Sequence, residues 1–387
     1  MKVKTVVVLL FCIIPIISPA QESVIKLELE FGDENLPDEY LLVKPQWLNV
    51  SENGDVFVVD EKRVKIYDTA GNAKMIVGGS GLGPGEFVDP LCPYIGKTGY
   101  LTVTDCYFGP AFHVFDPDYK FYKNIFIKYY NFFEHVEEYL ISGPGNFPLV
   151  EVLAINKDKY IGHFATKSRD RFQQGKRLII NYFQYEVLAL INGDKITEIT
   201  RYDHVPVSKM NQFIHFMEPL QWGISDSKVI YSYPSIDKTE ENEKTEYTIH
   251  CFDLTNNKQS KIIHQYTPVR IRDSDLQEFR DLEEMIKRID PRYWEDMWTV
   301  LNGISHYDSF KRLYVDDNKI MVFTYSMNKS GYYLVNVFDA ISEKFMHAIY
   351  SPVIPDCIKN GYAYKVGESD GFPVIQKYRI DPSVYGK

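Results

Sequence analysis

Four short apolar segments follow one another in residues 45–77, which read PQWLNVSENGDVFVVDEKRVKIYDTAGNAKMIV. Their apolar pattern predicts strands at 47–50, 56–60, 64–68 and 73–77. The first joining segment ends in Asn53-Gly54 and the last contains Gly71, and these residue types favour tight turns. The stretch therefore predicts a four-stranded antiparallel meander, in which each strand pairs with the next.

The same four-strand unit recurs along the chain with loops of variable length. We predict further copies at 94–127, 152–200, 222–266 and 312–349. The last copy, 357–380, has too few residues for a fourth strand, whereas 24–31 forms an isolated strand near the N-terminus. If 24–31 completes the last sheet, six sheets close into a ring that leaves no long strand edge exposed. The predicted fold is an all-β, six-bladed β-propeller.

Three motifs in the first copy also support a family resemblance. The motifs GDVFVVD at 54–60, VKIYD at 64–68 and GLGPGEF at 81–87 are similar to the NHL-type repeat. The whole chain resembles exported bacterial six-bladed β-propellers of unassigned function. The resemblance implies a propeller over nearly all of 21–387. It implies no single activity, because propellers of this kind include scaffolds, ligand binders, lactonases and lyases.

The first twenty residues have the three-part layout of a secretory signal. Two lysines precede an apolar run at 6–17, and Ser18-Pro19-Ala20 follows it. We expect 1–20 to be removed and the propeller, 21–387, to reach the periplasm or the outside of the cell. The apolar run is shorter than the roughly 20 residues that a spanning helix needs, so we expect no integral membrane contact.

Charge and cysteine content limit the classes of partner. The formal net charge is −10, so the phosphate backbone of a nucleic acid would be repelled. The cysteines show no Cys-x-x-Cys spacing of the kind that structural zinc sites use. Cys92 and Cys106 flank one predicted hairpin, and either a disulfide or two buried thiols would suit them.

Loop length differs between the two faces of the predicted propeller. Turns from first to second and from third to fourth strands have three or four residues and form what we call the short-turn face, where we expect no room for a site. The other loops form the long-loop face, where binding residues are usually found. These loops span 78–92, 106–111, 129–146, 166–177, 202–221, 234–246 and 268–311.

The longest loop contains a predicted helical insertion, 272–305, between blades 4 and 5. Its apolar residues fall on one stripe of a helix: Leu276, Phe279, Leu282, Met285 and Ile286. The stripe either packs on the sheets below or holds the insertion as a lid over the axial funnel. In the second case Trp294 or Trp298 would be presented to a ligand.

Aromatic, arginine and histidine side chains in or beside the long loops are the candidate ligand-binding residues, because such mixtures are typical of recognition surfaces. The candidates are Arg63, Tyr107, Phe108, Arg171, His204, His215, Trp294, Trp298 and His306. The first hypothesis is a monomeric binding module for a glycan, peptide or protein, without a cofactor. The alternative is a lactonase-like hydrolase or lyase, in which histidines and carboxylates from several blades hold one Ca²⁺ or Zn²⁺ at the axis.

Overall fold

In the computed structural model, the described residues form six antiparallel sheets arranged as a β-propeller. This confirms the predicted fold class. The structure describes residues 23–387 apart from 34, 106–110, 127–149, 175–176, 194, 208–217, 242–243, 282, 290, 292–293, 296–297 and 299–302.

The first three blades follow the predicted order along the chain. Blade 1 consists of β2 (Pro45–Val50), β3 (Val56–Asp60), β4 (Arg63–Tyr67) and β5 (Ala73–Val77). Blade 2 consists of β6 (Pro90–Ile95), β7 (Leu101–Asp105), β8 (Ala111–Phe115) and β9 (Phe121–Phe126). Blade 3 consists of β10 (Val150–Ala154), β11 (Lys159–Gln174), β12 (Arg177–Asn192) and β13 (Lys195–Val207).

The remaining blades include one additional strand and the N-terminal strand. Blade 4 consists of β14 (Gln221–Ile224), β15 (Lys228–Ser232), β16 (Lys238–Glu241), β17 (Lys244–Asp253) and β18 (Gln259–Gln265). Blade 5 consists of β19 (Arg312–Asp316), β20 (Lys319–Met327), β21 (Tyr333–Asp339) and β22 (Lys344–Ser351). Blade 6 consists of β23 (Cys357–Lys359), β24 (Tyr362–Ser369), β25 (Phe372–Ile380) and β1 (Ile25–Phe31).

The N-terminal strand closes the ring as predicted. Strand β1 pairs antiparallel with β25, so that Ile25 lies opposite Ile380 and Phe31 opposite Ile375. Chain segments far apart in sequence therefore share blade 6, and the backbone groups on the outer edge of β25 are paired.

Buried apolar clusters lie between neighbouring blades. Between blades 6 and 1, the cluster includes Tyr67, Tyr364 and Phe31, and the first two are at most 1% exposed. Corresponding clusters join the other neighbouring pairs of sheets. Because each blade buries both of its faces, consecutive residues are buried on its inner strands, as in β3 and β7, where all five residues are buried.

The insertion between blades 4 and 5 is helical, as predicted. It contains α1 (Asp273–Asp281) and α2 (Glu283–Ile289). Both helices begin with acidic residues and carry a basic residue in the last turn, which suits the helix dipole. Within the described ranges, no helix is long and apolar enough to cross a membrane.

Blade 3 differs from the expectation in its loops. The segment 166–177 was expected to be a long loop, but β11 and β12 stay paired from Lys159↔Asn192 to Gln174↔Arg177. Strand β13 also continues through 202–207, beyond the predicted strand end. Leu178-Ile179-Ile180 and the aromatic residues that follow favour strands, and this signal could have identified the longer hairpin.

Candidate functional site

Four predicted ligand-binding residues have side chains that the structure describes. Arg63 begins β4 at the long-loop face and is half-buried. Trp294 and Trp298 stack on each other in the insertion with ring centroids 5.6 Å apart, and Trp294 is 5% exposed. His306 lies where the chain returns to blade 5, and its Nδ1 is 2.8 Å from Ser305 Oγ. Ligand contact by these side chains stays a prediction.

The other predicted residues are described in part or not at all. Three ligand-binding candidates and one cysteine lie outside the described residues: Tyr107, Phe108, His215 and Cys106. For Arg171 and His204 the structure describes only the backbone, in β11 and β13. Cys92 is buried, and both alternatives for it, a disulfide with Cys106 or a buried thiol, stay predictions.

The long-loop face carries a cavity of about 320 Å³ between blades 4 and 5. Its walls include residues 264–267 at the end of blade 4, residues 308–309 at the start of blade 5, and parts of β20 and β21. Two backbone hydrogen bonds tie the arms of the insertion together at this point. Ile271 N donates to Ser305 O at 3.2 Å, and Tyr307 N donates to Val269 O at 3.0 Å. The insertion therefore extends from the rim of the cavity.

Asp308 is the carboxylate in the cavity wall and is 9% exposed. Its Oδ2 accepts a hydrogen bond from the backbone N–H of Glu218 at 2.9 Å, and its Oδ1 lies 4.0 Å from Lys238 Nζ. The Glu218 carboxylate accepts hydrogen bonds from Arg312 and, at 3.1 Å, from the Tyr325 hydroxyl. The backbone thus holds one oxygen of Asp308, while the other accepts no hydrogen bond from any described residue.

A pair of tyrosines connects this cavity wall to the insertion. The rings of Tyr307 and Tyr325 are nearly parallel, with centroids 4.2 Å apart. The Tyr307 hydroxyl donates to Asp275 in α1 and accepts a hydrogen bond from the backbone N–H of Arg272 at 3.2 Å. These contacts link α1 to the Tyr325 side of the cavity.

We expect Asp308→Asn to stabilise the protein at neutral pH. Burial is the main cause that raises the pKa of Asp308 from 3.8 to about 6, and the nearby Glu218 and Glu240 carboxylates add to it. Between pH 3.8 and about 6, the Asp308 carboxyl is protonated in the folded state and ionised in the unfolded state. The free energy of unfolding therefore falls as the pH rises through this range. At pH 7 the ionised carboxylate costs about 1–3 kcal/mol of folding free energy. An asparagine keeps an acceptor for Glu218 N without this cost.

Chemical denaturation at about pH 4.5 and about pH 7.5 measures this difference. Asp308→Asn should gain stability over the wild type only at the higher pH. Asp118→Asn is a matched control, because the Asp118 side chain is 79% exposed, and it should change stability by less than about 0.5 kcal/mol. A loss of stability in Asp308→Asn at both pH values would contradict the prediction.

A second polar cluster lies where blades 2, 3 and 4 meet near the axis. His163 Nε2 is 2.8 Å from Glu186 Oε2, and His163 Nδ1 is 3.6 Å from Glu151 Oε2. Trp222 Nε1 donates to Glu151 at 2.8 Å. The Tyr94 and Trp222 rings stack with centroids 5.7 Å apart, although blade 3 lies between their blades in the ring. This aromatic contact therefore lies near the centre of the propeller.

The predicted metal alternative requires ligands that converge near the axis. Among the described residues, no group of three or more His, Cys, Asp or Glu side chains could hold a metal ion. His163 instead forms a hydrogen-bonded ion pair with Glu186 and a longer ion pair, at 3.6 Å, with Glu151.

Carboxylates at the ends of β3 and β7 hold the connections between blades. Asp60 accepts hydrogen bonds from the backbone N–H groups of residues 43 and 44, at 2.6–3.2 Å. Asp105 accepts them from residues 88 and 89, at 2.8 and 3.2 Å. Each carboxylate thus fixes the segment that leads into the first strand of its own blade.

The short-turn face holds a cavity of about 570 Å³, so the expectation that it has no room for a site is wrong. Lys97 on blade 2 pairs with Asp226 on blade 4, and Lys359 on blade 6 pairs with Glu52 on blade 1 at 2.5 Å. These charged side chains already neutralise one another across blades. Both ion pairs therefore join side chains of different blades.

Sequence reasoning missed Asp308, Glu218 and the Glu151–His163–Glu186 cluster. Glu151 and Glu186 are single charged residues within apolar stretches, VEVLA and YEVLALI. A buried charge needs a partner, so this pattern could have indicated buried ion pairs. The partners themselves come from other strands and blades, which the pattern does not identify.

No family model and no curated protein matches the sequence. Among solved structures, the chain is similar to a protein from Bacteroides fragilis whose export is proposed, at 10% identity and a TM-score of 0.46, over 92% of this chain and 95% of that one. It is also similar to an uncharacterised protein from Listeria monocytogenes, at 7% identity and a TM-score of 0.38, over 88% and 80%. A third similar structure, a protein of unknown function from Bacteroides caccae, gives 8% identity, a TM-score of 0.35, and coverage of 80% and 82%.

Proposed function

We propose that the protein is an exported, NHL-type propeller that works as a binding module, with a glycan, peptide or protein as its ligand. The cavity between blades 4 and 5 is the anchoring point for that ligand. The signal-like pattern in residues 1–20 supports export. The motifs in residues 54–87 support the NHL-type assignment.

The observation that carries this proposal is the position of the cavity at the base of the insertion. Strands of blades 4 and 5 form its walls, and the segments that enter and leave the insertion form its rim. Ligand sites are commonly concave, with a few polar groups that converge on the ligand. Asp308 supplies such a group, because one of its oxygens accepts no hydrogen bond from a described residue.

Binding to glycan and peptide arrays tests this proposal when wild type and two tryptophan variants are compared. Ser326 lines the cavity and is half-exposed, so Ser326→Trp should fill the cavity and weaken binding at least about tenfold. Ser330 is exposed in the turn after the same strand, and Ser330→Trp is the matched control.

Two results would contradict the proposal. One is that no member of either array binds the wild type. The other is that a bound ligand is retained equally by Ser326→Trp, Ser330→Trp and the wild type, since the cavity would then not anchor it.

A further inference from the structure

The size of the cavity between blades 4 and 5 limits what it can hold. At about 320 Å³ it is near the lower end of the roughly 300–1,000 Å³ that is typical of ligand pockets. It therefore suits one ring-sized group of a larger ligand. The remainder of such a ligand would extend along the rim towards the insertion.

The lining of this cavity is rich in groups that both donate and accept hydrogen bonds. Hydroxyls and side-chain amides have this property, whereas ammonium groups only donate and carboxylates only accept. The lining includes Thr245, Gln265, Tyr266, Thr267, Ser326 and Asn336. Thr245, Tyr266 and Asn336 each already donate one hydrogen bond within the protein and keep oxygen atoms that can accept. Vicinal hydroxyls of a sugar also both donate and accept, so this lining matches them better than it matches an apolar or a uniformly charged ligand.

Charges around Asp308 largely compensate one another. Glu218 is paired with Arg312, and Lys238 is paired with Glu240 at 3.2 Å. Lys244 lies exposed at the rim, and burial lowers the pKa of His264, so its imidazole is neutral near pH 7. A negative charge on the ligand would therefore lack a dedicated partner, and a positive charge would find one described carboxylate in the lining, Asp308, which already has Lys238 Nζ 4.0 Å from its Oδ1.

Resting on the function proposed above, we infer that the cavity binds one neutral sugar ring of a glycan and that Asp308 accepts hydrogen bonds from its hydroxyls. The backbone N–H of Glu218 fixes the carboxylate through Oδ2, which leaves Oδ1 for the ligand. Hydrogen bonds to an ionised carboxylate are stronger than those between neutral groups, so this contact contributes both affinity and orientation.

Titration of free sugars by calorimetry or protein-observed NMR tests this inference. The probes are glucose, galactose, mannose and xylose as neutral sugars, glucosamine and glucuronate as charged ones, and an N-acetylated, C-amidated tripeptide. We expect at least one neutral sugar to bind more tightly than either charged sugar and the peptide. Asp308→Asn should weaken that binding about tenfold at about pH 7.5, whereas Asp118→Asn should leave it unchanged.

The dependence of binding on pH gives a second readout. Protonation of Asp308, whose pKa is raised to about 6, should weaken binding about tenfold between about pH 7.5 and about pH 5, and the profile of Asp308→Asn should be flatter. The neighbouring phenols have pKa values raised by burial and stay neutral over this range: Tyr233, Tyr266 and Tyr325. The comparison with Asp308→Asn separates Asp308 from its other titratable or charged neighbours, which are Glu218, Lys238, Glu240, Lys244, His264, His306, Lys311 and Arg312.

The outcomes separate this inference from the proposed function. Two results would overturn the inference and leave the binding module standing. One is that a charged sugar binds more tightly than the neutral sugars. The other is that Asp308→Asn and the wild type bind the neutral sugars equally. A peptide that binds and is lost in Ser326→Trp would also overturn it, but would support the binding module. If neither the sugars nor the array ligands bind the wild type, both proposals fail.

Discussion

Asp60→Ala should lower the free energy of unfolding by about 3–5 kcal/mol, because it leaves a buried ammonium group without its counter-ion. Lys65 Nζ lies 2.6 Å from Asp60 Oδ2, and the two side chains are 3% and 0% exposed. The carboxylate also accepts the backbone N–H groups of residues 43 and 44, so those donors would lose their partner too. Urea denaturation followed by circular dichroism measures the change.

A double variant distinguishes loss of the ion pair from general disruption of blade 1. Asp60→Asn with Lys65→Met removes both charges and keeps an acceptor for the backbone donors. It should be more stable than Asp60→Ala, because replacing both members of a buried pair costs less than removing one. Two results would show that the ion pair does not stabilise blade 1. One is a double variant less stable than Asp60→Ala. The other is a loss of unfolding free energy in Asp60→Ala no larger than that in the exposed-site control, Asp118→Ala.

Glu186→Ala should have an effect of similar size, about 3–5 kcal/mol, in blade 3. The substitution removes the carboxylate that lies 2.8 Å from His163 Nε2, and it also removes the acceptor of the Tyr233 hydroxyl, which donates at 3.0 Å. His163 and Glu186 are at most 1% exposed, so water cannot readily replace the lost contacts. Glu198→Ala on β13 is the control, because its ion pair with Arg201 is partly exposed and should contribute less than about 1 kcal/mol.

The same cluster predicts a pH dependence. Burial alone would lower the pKa of His163, but the Glu151 and Glu186 carboxylates outweigh it and raise the pKa from 6.5 to about 10. The stabilisation is therefore fully present below about pH 6.5 and is lost as pH rises towards about 10. Denaturation curves measured between about pH 6.5 and about pH 10 should show a smaller loss of the free energy of unfolding for Glu186→Ala than for the wild type. Equal slopes would contradict the assignment of a charged His163.

Local sequence signals suffice for the blades whose strands are short and regular. In blade 1 the predicted strands agree with β2 to β5 to within about two residues, because apolar segments and Gly-containing turns alternate there. The unpaired segment 24–31 predicted β1 because a fourth strand was missing from the last repeat. Blade 3 was less predictable, since the pairing of 166–174 with 177–185 depends on the register between the two strands.

The candidate site was predictable as a region, and its chemistry was not. Loop lengths indicated the long-loop face and the insertion, and a cavity of about 320 Å³ lies there. Trp294 and Trp298 stack on each other, a contact that their spacing in the sequence did not show, and ligand binding by either ring stays a prediction. Asp308 gave no local signal, because its importance depends on Glu218, which is 90 residues away in sequence.

The sequence by itself determined the six-bladed ring, the strand that closes it and the position of the insertion. These features follow from strand periodicity, turn residues and the need to pair strand edges, all of which are local or counting properties. Only the tertiary structure decided which buried acids meet which bases, as in Asp60 with Lys65 and Glu186 with His163. It also decided that Asp308 and Glu218 come together at one cavity. Packing of separate strands sets those distances to within a few tenths of an ångström, and the spacing of residues along the chain carries no such information.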